Sequence, residues 1–266
     1  HIARILFPLQ GGGISSIPVT VFAQETADGS TTKIIEITPS GTATADGTHT
    51  LVVAGREGLD AQFYDININS GDTTDDITAK MEDAVNAILG TPVIASSTDY
   101  EATFETKWSG LTANELSISV DTSSNDLGIT YSVSTTQAGS GTPSIADALS
   151  QFGSTWYTLV INGYSTNSNI MSALENFNGI PDPTNPTGRY TGIIMKPFVA
   201  LTGSTADDPS SITDAKMNQV TISICPAPLS DGFTFEAAAN VCLLCAPQMQ
   251  DTPALDIAGR NYPDMP

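Results

Sequence analysis

Hydrophobic periodicity changes character once along this chain, and that change constrains the fold more than any single motif. From residue 34 to 138, short segments rich in Thr, Ser and Gly alternate apolar and polar side chains. A period of two places one set in a core and the other in water, as in half-buried strands. Tyr100, Ala102, Phe104 and Trp108 share one face, and Glu101, Thr103, Glu105 and Lys107 the other. Segments 34–37, 49–54, 64–68, 116–120 and 129–133 read the same way. Turn chemistry at 122–126 predicts a hairpin between the last two. One helix interrupts the block: Ile77, Met81, Ala84, Val85 and Ile88 form a stripe at helical spacing, with Asp75 and Asp76 at its start and Gly90 at its stop. A further strand is expected at 19–23, and 135–141 reads as a linker.

From Thr142 onward the pattern becomes helix and buried strand in alternation. Pro143 starts a helix whose stripe is Ile145, Leu149 and Phe152, ended by Gly153. Strands are expected at 156–161, 191–195 and 220–225. Helices are expected around Ile170 to Phe177, near 211–217 and at 235–245. Strands apolar on both faces and separated by helices indicate a mostly parallel sheet covered by helices. The reading is an α/β domain from residues 1–35 and 139–266. Inserted in it is a mainly antiparallel β domain at 36–138 that carries one helix.

Charge removes several functions. Nine basic residues against 29 acidic give a formal charge of −20. Nucleic-acid binding needs clustered Lys and Arg to displace counterions, and anionic membranes need the same. With 40% hydrophobic and 14% charged residues, the chain can build cores and keeps a Ser/Thr/Asn-rich surface. No apolar run approaches the roughly 18 residues of a membrane span. Segment 2–9 is too short for a signal peptide, and a start at His1 reads as a lost N-terminus. Cys225, Cys242 and Cys245 are too few for a disulfide framework and fit a reducing compartment.

Catalytic chemistry finds little footing. The histidines are His1 and His49, and neither is placed to activate a serine of the α/β half. Cys242 and Cys245 have Cys-x-x-Cys spacing but lie at the end of an apolar helix, where the dipole disfavours a thiolate. Zinc would need two more ligands, and Cys225 and a distant His49 are what remains, so the thiols read as core side chains. Gly11–Gly12–Gly13 and Gly139–Ser140–Gly141 lack the Lys-Ser/Thr of a phosphate loop and read as linkers. Asp72, Asp75 and Asp76, like Asp121, Asn125 and Asp126, lack calcium-loop spacing and read as caps and turns. No catalytic, cofactor-binding or metal residue is assigned, and no small-molecule ligand is expected.

Several segments in order resemble one family. These are 41–48 followed by 51–55, the helix at 74–86 followed by Pro92–Val93, the run 104–116, and 140–149 followed by 156–160. Together they make the chain similar to the tail sheath proteins of contractile-tailed bacteriophages, in the Mu-like branch, over about residues 40 to 200. The resemblance implies a subtilisin-like sheath domain, a fold name without protease activity, and an outward-facing β module. It implies copies that stack as hexameric rings around a tail tube protein, meet baseplate and tail terminator proteins, and contract. The implied location is the virion, assembled in the host cytoplasm. Residues 201–266 match loosely, and the family's tube-facing C-terminal domain is not matched, so the chain reads as the middle of a longer protein. The alternative from another class is a secreted or cell-surface β-rich binding module fused to a non-catalytic α/β domain.

Overall fold

The computed structural model describes residues 2–8, 12–14, 17–54, 62–191, 195–208, 221–230, 232–251 and 261–262. It divides into two units. Thr26–Pro143 forms one, and His1–Glu25 with Ser144–Pro266 forms the other. The β-rich unit holds β1 (Thr32–Ser40), β2 (Gly47–Ala54), β3 (Gln62–Ile68), α2 (Thr74–Asn86), β4 (Val93–Thr98), β5 (Glu101–Ser109), β6 (Ser117–Asp121) and β7 (Thr130–Gln137). The other holds α1 (Ile2–Leu6), α3 (Ala146–Ser150), β8 (Leu159–Asn162), α4 (Ser168–Asn178), β9 (Val199–Ser204), β10 (Ile222–Pro226) and α5 (Thr234–Asp251). The β-rich unit is wider than the expected 36–138. Its strand β1 begins before residue 36 and lies between β5 and β7, and Thr31 bridges to Ser140.

Two antiparallel sheets build this unit, in the orders β4-β5-β1-β7 and β3-β2-β6. Burial follows the period of two: Ile35 and Ile37, Leu51 and Val53, Tyr64, Ile66 and Ile68, Ala102 and Phe104 all point inward. Helix α2 starts in a capping box. Thr73 accepts from the Asp76 N–H, and the Asp76 carboxylate accepts from the Thr73 N–H at 2.9 Å, which satisfies donors a helix start leaves open. Its stripe of Ile77, Met81 and Val85 is buried and packs on β4, β5 and β1 of one sheet and on β3 of the other. Ile88 lies beyond the helix end and is exposed.

The expected hairpin between 116–120 and 129–133 does not form. β6 pairs with β2, whereas β7 pairs with β1. The connection between them is too long for a tight turn and has anchors of its own: Leu127 and Ile129 are buried, and the Leu127 carbonyl accepts from Thr44 N–H at 3.0 Å. It carries the chain from one sheet to the other. Nor is 135–141 a linker. Residues through Gln137 belong to β7, and Asn114 holds Gly139 by both backbone groups, each at 2.8 Å.

In the other unit β8, β9 and β10 form a parallel sheet with β9 in the middle. Ala200 and Leu201 of β9 point to opposite faces. Leu201 joins Ile5, Leu6, Cys225, Ala238 and Leu243 beneath α1 and α5. Ala200 joins Leu149, Phe152, Met171, Leu174 and Phe198 beneath α3 and α4. The sheet is thus covered on both faces, which is why its strands lack polar alternation. Segment 19–23 forms no strand. It has no regular secondary structure and supplies Phe22, which stacks on Phe152 with ring centroids 4.9 Å apart. The strand expected at 191–195 falls largely on residues 192–194, outside the described residues; the strand described after it is β9. The helix expected near 211–217 falls outside the described residues, and α5 runs longer than the expected 235–245.

Gly203 is where α5 meets β9, because a Cβ there would overlap the carbonyl oxygen of Thr234 at the start of the helix. Gly203→Ala is therefore expected to cost about 1–3 kcal/mol or more, as overpacking does. Hydrogen exchange should accelerate in β9 and α5 and stay unchanged in β1 and β5. Equal protection in both variants at β9 would contradict this packing.

Candidate interaction surface

The side chains with chemical potential in the sequence have structural partners. His49 is buried on the inner face of β2, in line with Leu51 and Val53. Its Nε2 lies 3.1 Å from the carbonyl oxygen of Asn125, which can only accept, so the proton sits on Nε2. Nδ1 then accepts from the Tyr131 hydroxyl at 2.8 Å. Burial raises the Tyr131 phenol above its ordinary value. Both ring nitrogens are thus used in tying β2 to β7 and to the connection between the sheets. His1 lies outside the described residues.

Two of the thiols, Cys242 and Cys245, lie on α5 and Cys225 lies on β10. Cys225 and Cys242 are buried and Cys245 is half-buried, all three free. Desolvation, followed by the neighbouring thiols, pushes Cys225 up to about 12 and Cys242 up to about 11. Cys245 is raised by burial as well. Such thiols are protonated at neutral pH and are poor nucleophiles.

The aspartates hold turns and caps. Asp72 pairs with Lys80 and accepts from Asn69 N–H at 2.7 Å. Asp76 caps α2, and Asp75 accepts from Thr74 Oγ1 at 3.3 Å. Asp121 accepts from Ser123 N–H at 2.8 Å and Asp126 from Gly128 N–H at 3.1 Å. Hydrogen bonds from Thr73 and Ser123 hold the Asp76 and Asp121 carboxyls below their usual range. Among the described residues no three His, Cys, Asp or Glu side chains are arranged to hold a metal ion. Gly11 lies outside the described residues. Gly12 and Gly13 turn the chain so that Ile14 N–H reaches the Leu6 carbonyl at 3.0 Å.

A different feature, one that residue types alone do not reveal, lies at the N-terminal ends of β8 and β9. Arg189 is buried there. Its Nε donates to the Lys196 carbonyl at 2.8 Å and its Nη2 to the Thr155 carbonyl at 2.8 Å. The guanidinium also lies over the rings of Phe152 (5.7 Å) and Phe177 (5.4 Å), where the ring quadrupole favours a cation. Burial pushes it down from its ordinary value, yet a guanidinium stays charged in proteins. Lys196 Nζ donates to the Ser154 carbonyl. Two cations thus rest on the carbonyls of one loop, and neither forms an ion pair among the described residues.

That loop delivers Trp156. Its indole Nε1 donates to the Pro197 carbonyl at 2.7 Å, and the ring remains 55% exposed. Asn178, fully buried, binds both backbone groups of Phe198, at 2.7 and 3.0 Å. Ile180, Met195 and Val199 are also exposed. The indole is thus held half-exposed by its bond to Pro197, while Arg189 and Lys196 are spent on the carbonyls of the loop before it. Reading Trp156 as the inside of a strand conceals it. The strand starts at Leu159, and Arg189 sits far away in sequence.

No family model matches the chain. A Mu-like prophage tail sheath protein, FluMu, from Haemophilus influenzae is 25% identical over 134 residues, covering 49% of this chain and 26% of that protein. The chain thus spans about a quarter of the length of that curated relative. Among solved structures, the D2–D3 domains of the flagellar cap protein FliD from Escherichia coli align over 48% of this chain and 84% of theirs. The identity is 18% and the TM-score 0.23. The FliD D1-D2-D3 structure aligns over 55% and 53%, at 17% identity and the same TM-score of 0.23. That score is too low for the likeness to bear on fold or function.

His49→Ala would leave the Asn125 carbonyl and the Tyr131 hydroxyl unpartnered beside a cavity. A loss of about 2–4 kcal/mol is expected in urea unfolding, and an unchanged midpoint would contradict the bridging role. The thiols set an alkaline limit. Unfolded thiols ionise near 9.0, against about 12 for Cys225 and about 11 for Cys242 in the fold. The folded state then holds more protons, so stability falls as pH rises across that interval. Replacing both with Ala should flatten the decline while costing about one or two kcal/mol each at neutral pH. Stability measured from pH 8 to 11 checks this, and equal slopes in both proteins would refute it.

Proposed function

We propose that this chain belongs to a contractile tail sheath subunit, which polymerises around a tail tube and contracts to drive the tube through a host envelope. The observation that carries the reading is the 25% identity over 134 residues to the FluMu tail sheath protein. The ordered motifs between residues 40 and 200 support it. In this reading the α/β unit is the subtilisin-like sheath domain, and the β-rich unit faces outward. Copies stack in hexameric rings, and their other partners are the tail tube, baseplate and tail terminator proteins. The protein resides in the virion after assembly in the host cytoplasm.

The reading requires no chemical step. The work of contraction comes from rearranged contacts between subunits, without a cofactor. The side chains fit that economy: His49 has both nitrogens in structural hydrogen bonds, and burial keeps the Cys225 and Cys242 thiols protonated.

Immunogold electron microscopy tests the proposal, with antibodies raised against the 266-residue chain and applied to particles from a producing culture. Gold is expected along the full tail shaft, crowded into a shorter length on contracted tails. Label confined to cell surfaces, or absent from intact tails, would overturn the proposal.

A further inference from the structure

Sheet edges carry unpaired N–H and C=O groups, and proteins usually blunt them with charge, proline or a covering element. Among the described residues the edges of the β-rich unit are β4 and β7 in one sheet and β3 and β6 in the other. All but β7 are blunted. Asn86 of α2 takes both backbone groups of Ala95 on β4, at 2.8 and 3.1 Å. β3 carries Asp65, and β6 ends in Asp121. β7 has neither charge nor proline, and its register with β1 is unbroken from Thr130 to Thr135. Ser132 to Thr136 are exposed on both faces. Among the described residues, none of their backbone groups bonds outside the pairing with β1. Inside, Val133 stands opposite Ile37 and Thr135 opposite Ile35. Both isoleucines are buried, yet Val133 is 44% exposed, because α2 packs on β4, β5 and β1. Outside, the sheet presents Glu36, Glu101 and Glu105 with Lys107, and Glu36 stands opposite Ser134.

We infer that the outer edge of β7 accepts an extended segment of a different protein. That segment is apolar where it continues the row from Ile37 to Val133, and basic where it continues the row from Glu36 to Ser134. Every second residue of a strand paired on one side directs its N–H and C=O outward, and an extended main chain is what meets such a ladder. An apolar side chain on the inner face covers Val133. A Lys opposite Ser134 lies two strand spacings from Glu36, roughly 10 Å, within the combined reach of the two side chains. Charge selects the occupant. A second copy bears the same net charge of −20, and its own β7 edge carries no cation to offer. The inference stands on the β-rich unit alone and does not depend on the sheath reading.

Fluorescence anisotropy tests it, with the 266-residue chain titrated into a dye-labelled peptide, Lys-Val-Lys-Val-Thr-Val-Lys-Val, as long as β7, at about 0.1 M salt. One comparison peptide is N-methylated along its backbone, which removes the amide donors and keeps the charge. Another has Glu for each Lys. The protein variant is Val133→Lys. Ile94→Lys is its control, making the same change at an exposed position on the opposite edge of the same sheet. The Lys-Val peptide is expected to bind and to slow hydrogen exchange in β7 but not in β3. N-methylation, the Glu substitution and Val133→Lys should each raise the dissociation constant by about tenfold or more, and Ile94→Lys by less than about threefold. The N-methylated peptide leaves the protein untouched, so it decides the matter even where Val133→Lys disturbs the fold. No binding of the Lys-Val peptide, equal binding of its N-methylated form, or equal effects of Val133→Lys and Ile94→Lys would each overturn the inference. So would self-association of the chain alone that Val133→Lys abolishes, since a second copy would then hold the edge.

Discussion

Buried backbone must find hydrogen-bond partners, and at the joints of this protein asparagine side chains supply them. Asn178 ends α4 and offers its amide to both the N–H and the C=O of Phe198, as a neighbouring strand would. That places the chain at the start of β9, the middle strand of the parallel sheet. The layers on either side follow, since Ala200 and Leu201 then face α4 and α5. Asn86 makes the same two-bond contact with Ala95, at 2.8 and 3.1 Å, seating α2 against β4. Asn114 makes it with Gly139.

The β-rich unit is closed by two further devices of opposite character. Helix α2 lays one apolar stripe against strands of both sheets, a contact driven by burial and indifferent to direction. His49 and Tyr131 join the sheets on another side through directional hydrogen bonds. An apolar core tolerates some sliding, whereas a buried polar bridge loses its partners when strands shift. The bridge therefore helps specify which strands sit opposite one another.

The exposed corner at Trp156 is a consequence of the same joints. Fixing Phe198 through Asn178 leaves the carbonyl of Pro197 turned to Trp156, and the loop before Trp156 is held by Arg189 and Lys196. A surface assembled this way is held in place by directional hydrogen bonds.

Local pattern made some of this legible. The stripe of Ile77, Met81 and Val85 announced α2, and Ala102 with Phe104 announced the inner face of β5, because period follows directly from backbone geometry. Caps and turns at Asp76, Asp121 and Asp126 were readable for the same reason. The corner was not. Its residues lie on segments that meet only when α4 and β9 are in place, and a half-exposed Trp next to apolar residues resembles a buried strand. The supposed hairpin failed for a related cause: alternation predicts that 116–120 and 129–133 are strands but carries no information about their partners. By itself the sequence determined elements such as α2 and β5 and the faces they bury, since these depend on neighbours along the chain. By contrast, 19–23 and Trp156 read as strand and are not, and Tyr100 reads as inward and is exposed. The pairing of β6 with β2 and of β7 with β1, the use of both His49 nitrogens and the meeting of Arg189 with the loop at 153–155 were decided by tertiary structure alone. Each depends on groups far apart in sequence whose hydrogen bonds exist only once the chain has closed around them.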